Sequence, residues 1–198
     1  GGIDNNLKVN LIRIDSENLK ISEIKNKLKE VSGILIPGGF GKRGTEGKIE
    51  AIRYAREKKI PFFGICFGMQ MAIIEFARNQ LNIKKATSSE FGKGGVPIIG
   101  LITEWQNSDG SLHNRDENSE LGGTMRLGAQ ECLLQEGTNA RVIYGNDSVF
   151  ERHRHRYEFN SNYRNQLEEH QLTFSGFSKD GLAEMIEIKD HPWFIGCQ

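Results

Sequence analysis

The stretch GILIPGGFGKRGTEGKIEAIRYAREKKIPFFGICFGMQ, residues 33–70, decides the fold. Gly33-Ile34-Leu35-Ile36 is a short apolar run stopped by Pro37-Gly38-Gly39, the pattern of a buried parallel strand. Thr45 is expected to cap a helix over about 46–58, whose Ile49, Ile52 and Ala55 form one apolar stripe. Pro61-Phe62-Phe63-Gly64-Ile65 supplies the next strand. Strand, helix and strand within about 33 residues make a βαβ unit, a connection that is almost always right-handed. A second helix is expected over about 68–78, with Met69, Ala72, Ile73 and Phe76 at helical spacing on a core face.

Outward from this unit, residues 7–14 partly alternate apolar with polar and read as a strand, and residues 21–31, with Ile21, Ile24 and Leu28, read as a helix. The glycine-punctuated residues 88–126 read as an irregular insertion of functional character. Apolar runs follow at 131–134, 172–177, 182–188 and 193–197, with a helical stretch around 162–169. The pattern is α/β, without repeats or a linker that would mark a domain boundary.

Composition narrows the function. The 198 residues carry 26 Lys+Arg against 26 Asp+Glu, so binding of a polyanion by bulk charge is not expected. With 37% hydrophobic and 26% charged residues the chain is globular, and no apolar run approaches the roughly 18 residues of a membrane span. Without the pattern of a signal peptide at Gly1-Gly2-Ile3-Asp4, it reads as cytoplasmic. Cys66, Cys132 and Cys197 are odd in number and lack CxxC spacing, which argues against a disulfide framework or structural zinc. Cys132 and Cys197 read as core.

Cys66 differs from both, because Gly64-Ile65-Cys66-Phe67-Gly68 sets it between glycines at a strand-to-helix junction. This is the nucleophile-elbow pattern with sulfur in place of oxygen. A sharp turn thrusts the middle side chain above the sheet, and the N–H groups of the helix start are expected to favour thiolate over thiol. The turn Pro37-Gly38-Gly39-Phe40-Gly41 ends the neighbouring strand, and its N–H groups together with that of Phe67 suit an oxyanion hole. A phosphate loop over residues 38–44 is the alternative, but it lacks both G-x-x-x-x-G-K-[ST] and G-x-G-x-x-G spacing. His153 and His155, in Arg152-His153-Arg154-His155-Arg156, suit an anion pocket or domain contact better than a nucleic-acid patch in a neutral protein.

These residues, with LITEWQ, LGGTMRLGAQ, ERHRHRYEFN and HPWFIGCQ, closely resemble the glutaminase domain of the CTP synthase family, a class I (triad) glutamine amidotransferase. The resemblance covers nearly the whole chain. It implies a flavodoxin-like three-layer sandwich with a mostly parallel central sheet. It also implies that Cys66 attacks the amide of L-glutamine through a glutamyl thioester, and that Gly39 and Phe67 supply the oxyanion-hole N–H groups. Gly38, Phe40, Gln70, Glu90 and Arg156 match glutamine-binding positions, with Arg for the α-carboxylate and a carboxylate for the α-ammonium. Phe40 and Arg115 match positions associated with GTP, the family's allosteric activator. No metal or cofactor is implied for this domain. ATP and magnesium belong to a synthetase domain of the same polypeptide, which uses the ammonia to convert UTP to CTP in a homotetramer. Other readings are the glutaminase of another class I amidotransferase, such as GMP synthase, and a non-catalytic assembly module.

By the same resemblance a strand and a helix precede the residues matching Gly1, and the catalytic His and Glu follow Gln198 in a Q-[FY]-H-P-E segment. Residues 1–198 are thus expected to be one glutaminase domain, incomplete at both ends, without the synthetase domain. No histidine here is assigned as triad base, and His191 takes a structural position.

Overall fold

The computed structural model describes residues 2–19, 21–101 and 125–198. The chain runs α1 (Ile21–Leu28), β1 (Ile34–Ile36), α2 (Thr45–Lys58), β2 (Phe62–Ile65) and α3 (Phe67–Asn79), so the expected βαβ unit forms. β3 (Ala86–Ser88), a 3-10 turn at Ser89–Phe91 and β4 (Val96–Gly100) come next. Part of the supposed irregular insertion is therefore regular structure. After residue 125 come β5 (Arg126–Leu134), α4 (Asn139–Tyr144), β6 (Ser148–His155), β7 (Glu158–Phe159), a 3-10 turn at Ser161–Tyr163 and α5 (Arg164–Glu169). The last elements are β8 (Leu172–Ser178), β9 (Ala183–Ile188) and β10 (Phe194–Cys197).

The main sheet has the order β1-β2-β10-β9-β8-β5-β6, and β3-β4-β7 form a second, small sheet. The α/β class is as expected, but the main sheet is mixed rather than mostly parallel. β1, β2 and β10 are parallel neighbours, while β9, β8, β5 and β6 pair antiparallel. Short hairpin connections after residue 172 leave no room for the helical crossovers that parallel neighbours require.

One face of the sheet buries Phe62, Phe194, Ile186 and Phe174 beneath α2 and α3, where Ile49, Ile52, Met69, Ile73 and Phe76 meet them. On the other face α4 covers Cys132, Leu134 and Met185 through Ala140. That cover ends part-way across. Along the row Leu35, Phe63, Ile195, Glu187, the last two are buried whereas Leu35 is 58% exposed.

Two local expectations need correction. Residues 7–14 form no strand among the described residues, and Leu7, Val9, Leu11 and Ile12 are exposed; alternation without a paired neighbour does not make a sheet. Thr45 does not cap α2 from outside. It is the first helical residue, its hydroxyl donates to the Lys42 carbonyl at 3.0 Å, and the cap position is Gly44 at φ 67°.

Candidate active site

The site is built at the carboxyl ends of β1, β2 and β10, where open α/β sheets place ligands. Cys66 follows β2 directly and holds φ 51°, ψ −103°, a strained conformation for any residue with a side chain. Its N–H donates to the Cys197 carbonyl at 2.6 Å, and its own carbonyl accepts from the Gln70 N–H at 3.1 Å, so the bend is pinned from both sides. The two flanking glycines are required by contact. A Cβ on Gly68 would stand 2.1 Å from the Ile36 carbonyl oxygen, and one on Gly64 would stand 2.8 Å from the backbone of Gly68. The elbow therefore exists because α3 starts against the end of β1 with no side chain between them.

The same approach brings the glycine turn to the cysteine. A Cβ built on Gly38 would lie 3.7 Å from the Cys66 Cβ, and one on Gly39 3.8 Å from the Phe67 ring. The Gly41 N–H donates to Glu90 Oε1 at 2.6 Å, which ties the turn to the 3-10 turn after β3, where the Ser88 hydroxyl accepts from the Glu90 N–H. Phe40 is exposed beside them. Gln70 is buried on the first turns of α3; its amide donates to the Tyr157 carbonyl at 2.9 Å and to Gln198 Oε1 at 3.1 Å. That link reaches the bend between β6 and β7, where half-buried Arg156 makes no hydrogen bond or ion pair with the described residues. Gly38 and Gln70 thus meet Cys66 directly, Gly39 lies against the adjoining Phe67, Glu90 is tied to the same glycine turn through Gly41, and Arg156 is next to the Gln70–Tyr157 link. Arg115 lies outside the described residues.

The expected thiolate is not favoured here. Burial pushes the Cys66 thiol above its ordinary value, the Phe67 N–H and the Gln198 amide pull the other way, and Glu158 and Glu90 add to the rise. A helix N-terminus alone does not offset desolvation when no cation among the described residues stands beside the sulfur. Cys132 and Cys197 are pushed up further, to about 12, chiefly by burial, which suits their reading as packing residues. His191 is structural: its Nε2–H donates to the Ala55 carbonyl and its Nδ1 accepts from the Trp193 N–H, each at 3.2 Å, ahead of β10 at the sheet end opposite Cys66. His170 is exposed, against the Gln166 carbonyl, and His113 lies outside the described residues.

Next to the site is a largely buried polar group of which the sequence pattern singled out only His153 and His155. The Arg126 guanidinium reaches Glu184 Oε1 and, at 3.5 Å, Glu158 Oε1, with His153 and His155 beside them. Burial works against the Arg126 charge, yet Glu184 and Glu158 raise its pKa above the ordinary value. The Arg-His-Arg-His stretch is the strand β6, with Arg152 and Arg154 outward and His153 and His155 inward. Period-two alternation was visible there, but both faces are polar, so it did not read as a half-buried strand.

A cysteine held on a strained strand-to-helix bend, facing a diglycine turn, defines an α/β enzyme class built around a nucleophile elbow. The family model for glutamine amidotransferase class-I matches residues 2–198, and the chain belongs to that family. It is 62% identical to CTP synthase of Pelagibacter ubique and 55% identical to that of Paramagnetospirillum magneticum, in each case over all of this chain. The chain spans 37% of the length of those curated relatives. Among solved structures it is similar to the Trypanosoma brucei CTPS glutaminase domain with bound acivicin, with TM-score 0.86, 31% identity, and coverage of 100% of this chain and 74% of that one. A glutamine amidotransferase from Thermotoga maritima shares the fold, with TM-score 0.52 and 14% identity, over 94% of this chain and 72% of that one.

Proposed function

We propose that this chain is the glutaminase part of a CTP synthase, with Cys66 as nucleophile. The observation that carries the reading is the Cys66 bend, at φ 51°, packed against Gly38 and followed by the Phe67 N–H. Its sulfur attacks the carbon of the glutamine side-chain amide. A tetrahedral oxyanion forms between the backbone N–H groups of Gly39 and Phe67, ammonia leaves, and water hydrolyses the thioester to glutamate. Each such donor is worth roughly 10²–10³ in rate. Arg156 takes the α-carboxylate, Glu90 the α-ammonium, and Gln70 braces the pocket wall through Tyr157; Gly38 and Phe40 line its mouth. Because burial raises the thiol pKa, proton removal at Cys66 requires a base. The resemblance places that base, a histidine with its carboxylate, after Gln198.

The wider reading follows the relatives' names. Ammonia passes to a synthetase domain of the same polypeptide that uses ATP and magnesium to aminate UTP, in a cytoplasmic homotetramer, and GTP activates near Phe40 and Arg115. No helix among the described residues is long and apolar enough to cross a membrane, which is compatible with that setting.

The test is to treat the full-length protein with a glutamine-analogue affinity reagent and map the adduct by mass spectrometry. A single adduct on Cys66, blocked by glutamine and absent in Cys66→Ser, is expected. A folded protein that stays unlabelled would mark a vestigial site and overturn the reading. Glutamine hydrolysis indifferent to GTP would favour another class I amidotransferase.

A further inference from the structure

β5 pairs with β8 only through Cys132–Leu134, so its first half pairs with β6 alone. This two-stranded ribbon carries Arg126, His153 and His155 to Glu184 on β9. His153 Nδ1 lies 2.8 Å from His155 Nε2 and 3.5 Å from Glu184 Oε2, and the three ligand atoms fall within 4.8 Å of one another. All three residues are at least 96% buried. We propose that His153 Nδ1, His155 Nε2 and Glu184 Oε2 form a binding site for a divalent transition-metal cation of the zinc class.

Two features support the site. First, Glu184 Oε2 is buried and has no hydrogen-bond partner among the described residues, although the other oxygen of the same carboxylate is held by Arg126. A buried carboxylate oxygen left in this way is costly, and a metal ion would satisfy it. Second, the orientation of His155 suits a ligand. Its Nδ1 lies 3.3 Å from the Tyr157 carbonyl, and donation there leaves the Nε2 lone pair facing the cluster, while Arg126 fixes the ligating carboxylate from behind.

The donor set decides the metal. Two imidazoles and one carboxylate suit zinc and its neighbours, whereas magnesium and calcium take oxygen ligands. His153 must move its proton from Nδ1 to Nε2, and the two imidazoles must part by a few tenths of an ångström, since ligand distances are about 2.0–2.2 Å. Water completes the fourth position. The ion would clamp β6 to β9 behind the bend that carries Arg156 and the Tyr157 carbonyl, so its role is to brace the site rather than to act on substrate.

The test uses chelator-treated full-length protein and the metal alone. Zinc followed by calorimetry should bind at one equivalent per chain and raise the melting temperature. Cobalt(II) should give visible d–d bands without the near-ultraviolet charge-transfer band of a thiolate. His155→Gln and Glu184→Gln, checked for fold by circular dichroism, should each lower zinc affinity at least 100-fold. Absence of cobalt bands in the unaltered protein overturns the proposal without reference to any variant. A thiolate band, or zinc binding abolished by alkylation of Cys66 and unchanged in His155→Gln, places the metal at the nucleophile and also overturns it.

Discussion

At the carboxyl end of β2 polar chemistry is organised by backbone, whereas across the sheet, on the β5–β6 ribbon, it is organised by buried side chains. Around Cys66 the recurring elements are glycines, N–H groups and carbonyls: Gly38 against Cys66, Gly68 against the Ile36 carbonyl, Cys66 N–H to Cys197. Around Glu184 they are a guanidinium, two carboxylates and two imidazoles. A backbone-built site tolerates no added atoms, while one built from charged groups tolerates no missing partner. Substitutions should therefore fail for opposite reasons in the two regions.

The largest effect is expected at Cys66, the proposed nucleophile. Cys66→Ser in the full-length protein should lower glutamine hydrolysis by roughly four orders of magnitude or more, read as ammonia release, with folding stability little changed. Retention within tenfold would break the assignment of chemistry to the backbone-built region. On the ribbon, Arg126→Ala leaves the Glu184 carboxylate buried without its cation, and should cost about 3–5 kcal/mol in urea denaturation. The double variant Arg126→Met with Glu184→Met should recover much of that loss, because an apolar pair of similar volume removes both charges. If Arg126→Ala proves neutral, the ribbon is not held by charge.

Gly68→Ala sharpens the other side. Its methyl would enter the 2.1 Å approach to the Ile36 carbonyl and should cost about 1–3 kcal/mol by overpacking, while Gly38→Ala, with 3.7 Å available, should cost less than about 1 kcal/mol. Equal losses at the two positions would show that shape at the elbow is not the constraint. The smallest effect concerns pH. With glutamine absent, the thiol pKa lies above its ordinary 9.0, so the thiolate fraction, and with it the iodoacetamide alkylation rate of Cys66, should still rise as pH passes 9.0. A rate that levels off near neutrality would mean that the helix N-terminus, or the histidine proposed beyond Gln198, outweighs burial.

The two regions also differ in how far the sequence announced them. The elbow was legible because its constraint is local: five consecutive residues must turn from strand to helix, and only glycine fits at their ends. The Pro-Gly-Gly turn on the adjacent strand was legible because a βαβ unit fixes where neighbouring strands end. Residues 7–14, by contrast, alternate as a strand should, but pairing is a property of the neighbour, and none of the described residues provides it. The cap at Thr45 failed because Gly44 takes the cap position and the Thr45 hydroxyl donates to the Lys42 carbonyl.

By itself, then, the chain's order of residues determined the α/β unit, the family and the elbow that holds Cys66, since each is written in residues near in sequence. Tertiary structure alone decided that the far half of the sheet runs antiparallel and that Arg126, His153, His155, Glu158 and Glu184 share one buried cluster. Those five residues come from β5, β6, β7 and β9, and Arg126, Glu158 and Glu184 each alone read as an ordinary surface charge or strand residue. Only a ribbon whose first half is free of β8 brings them together.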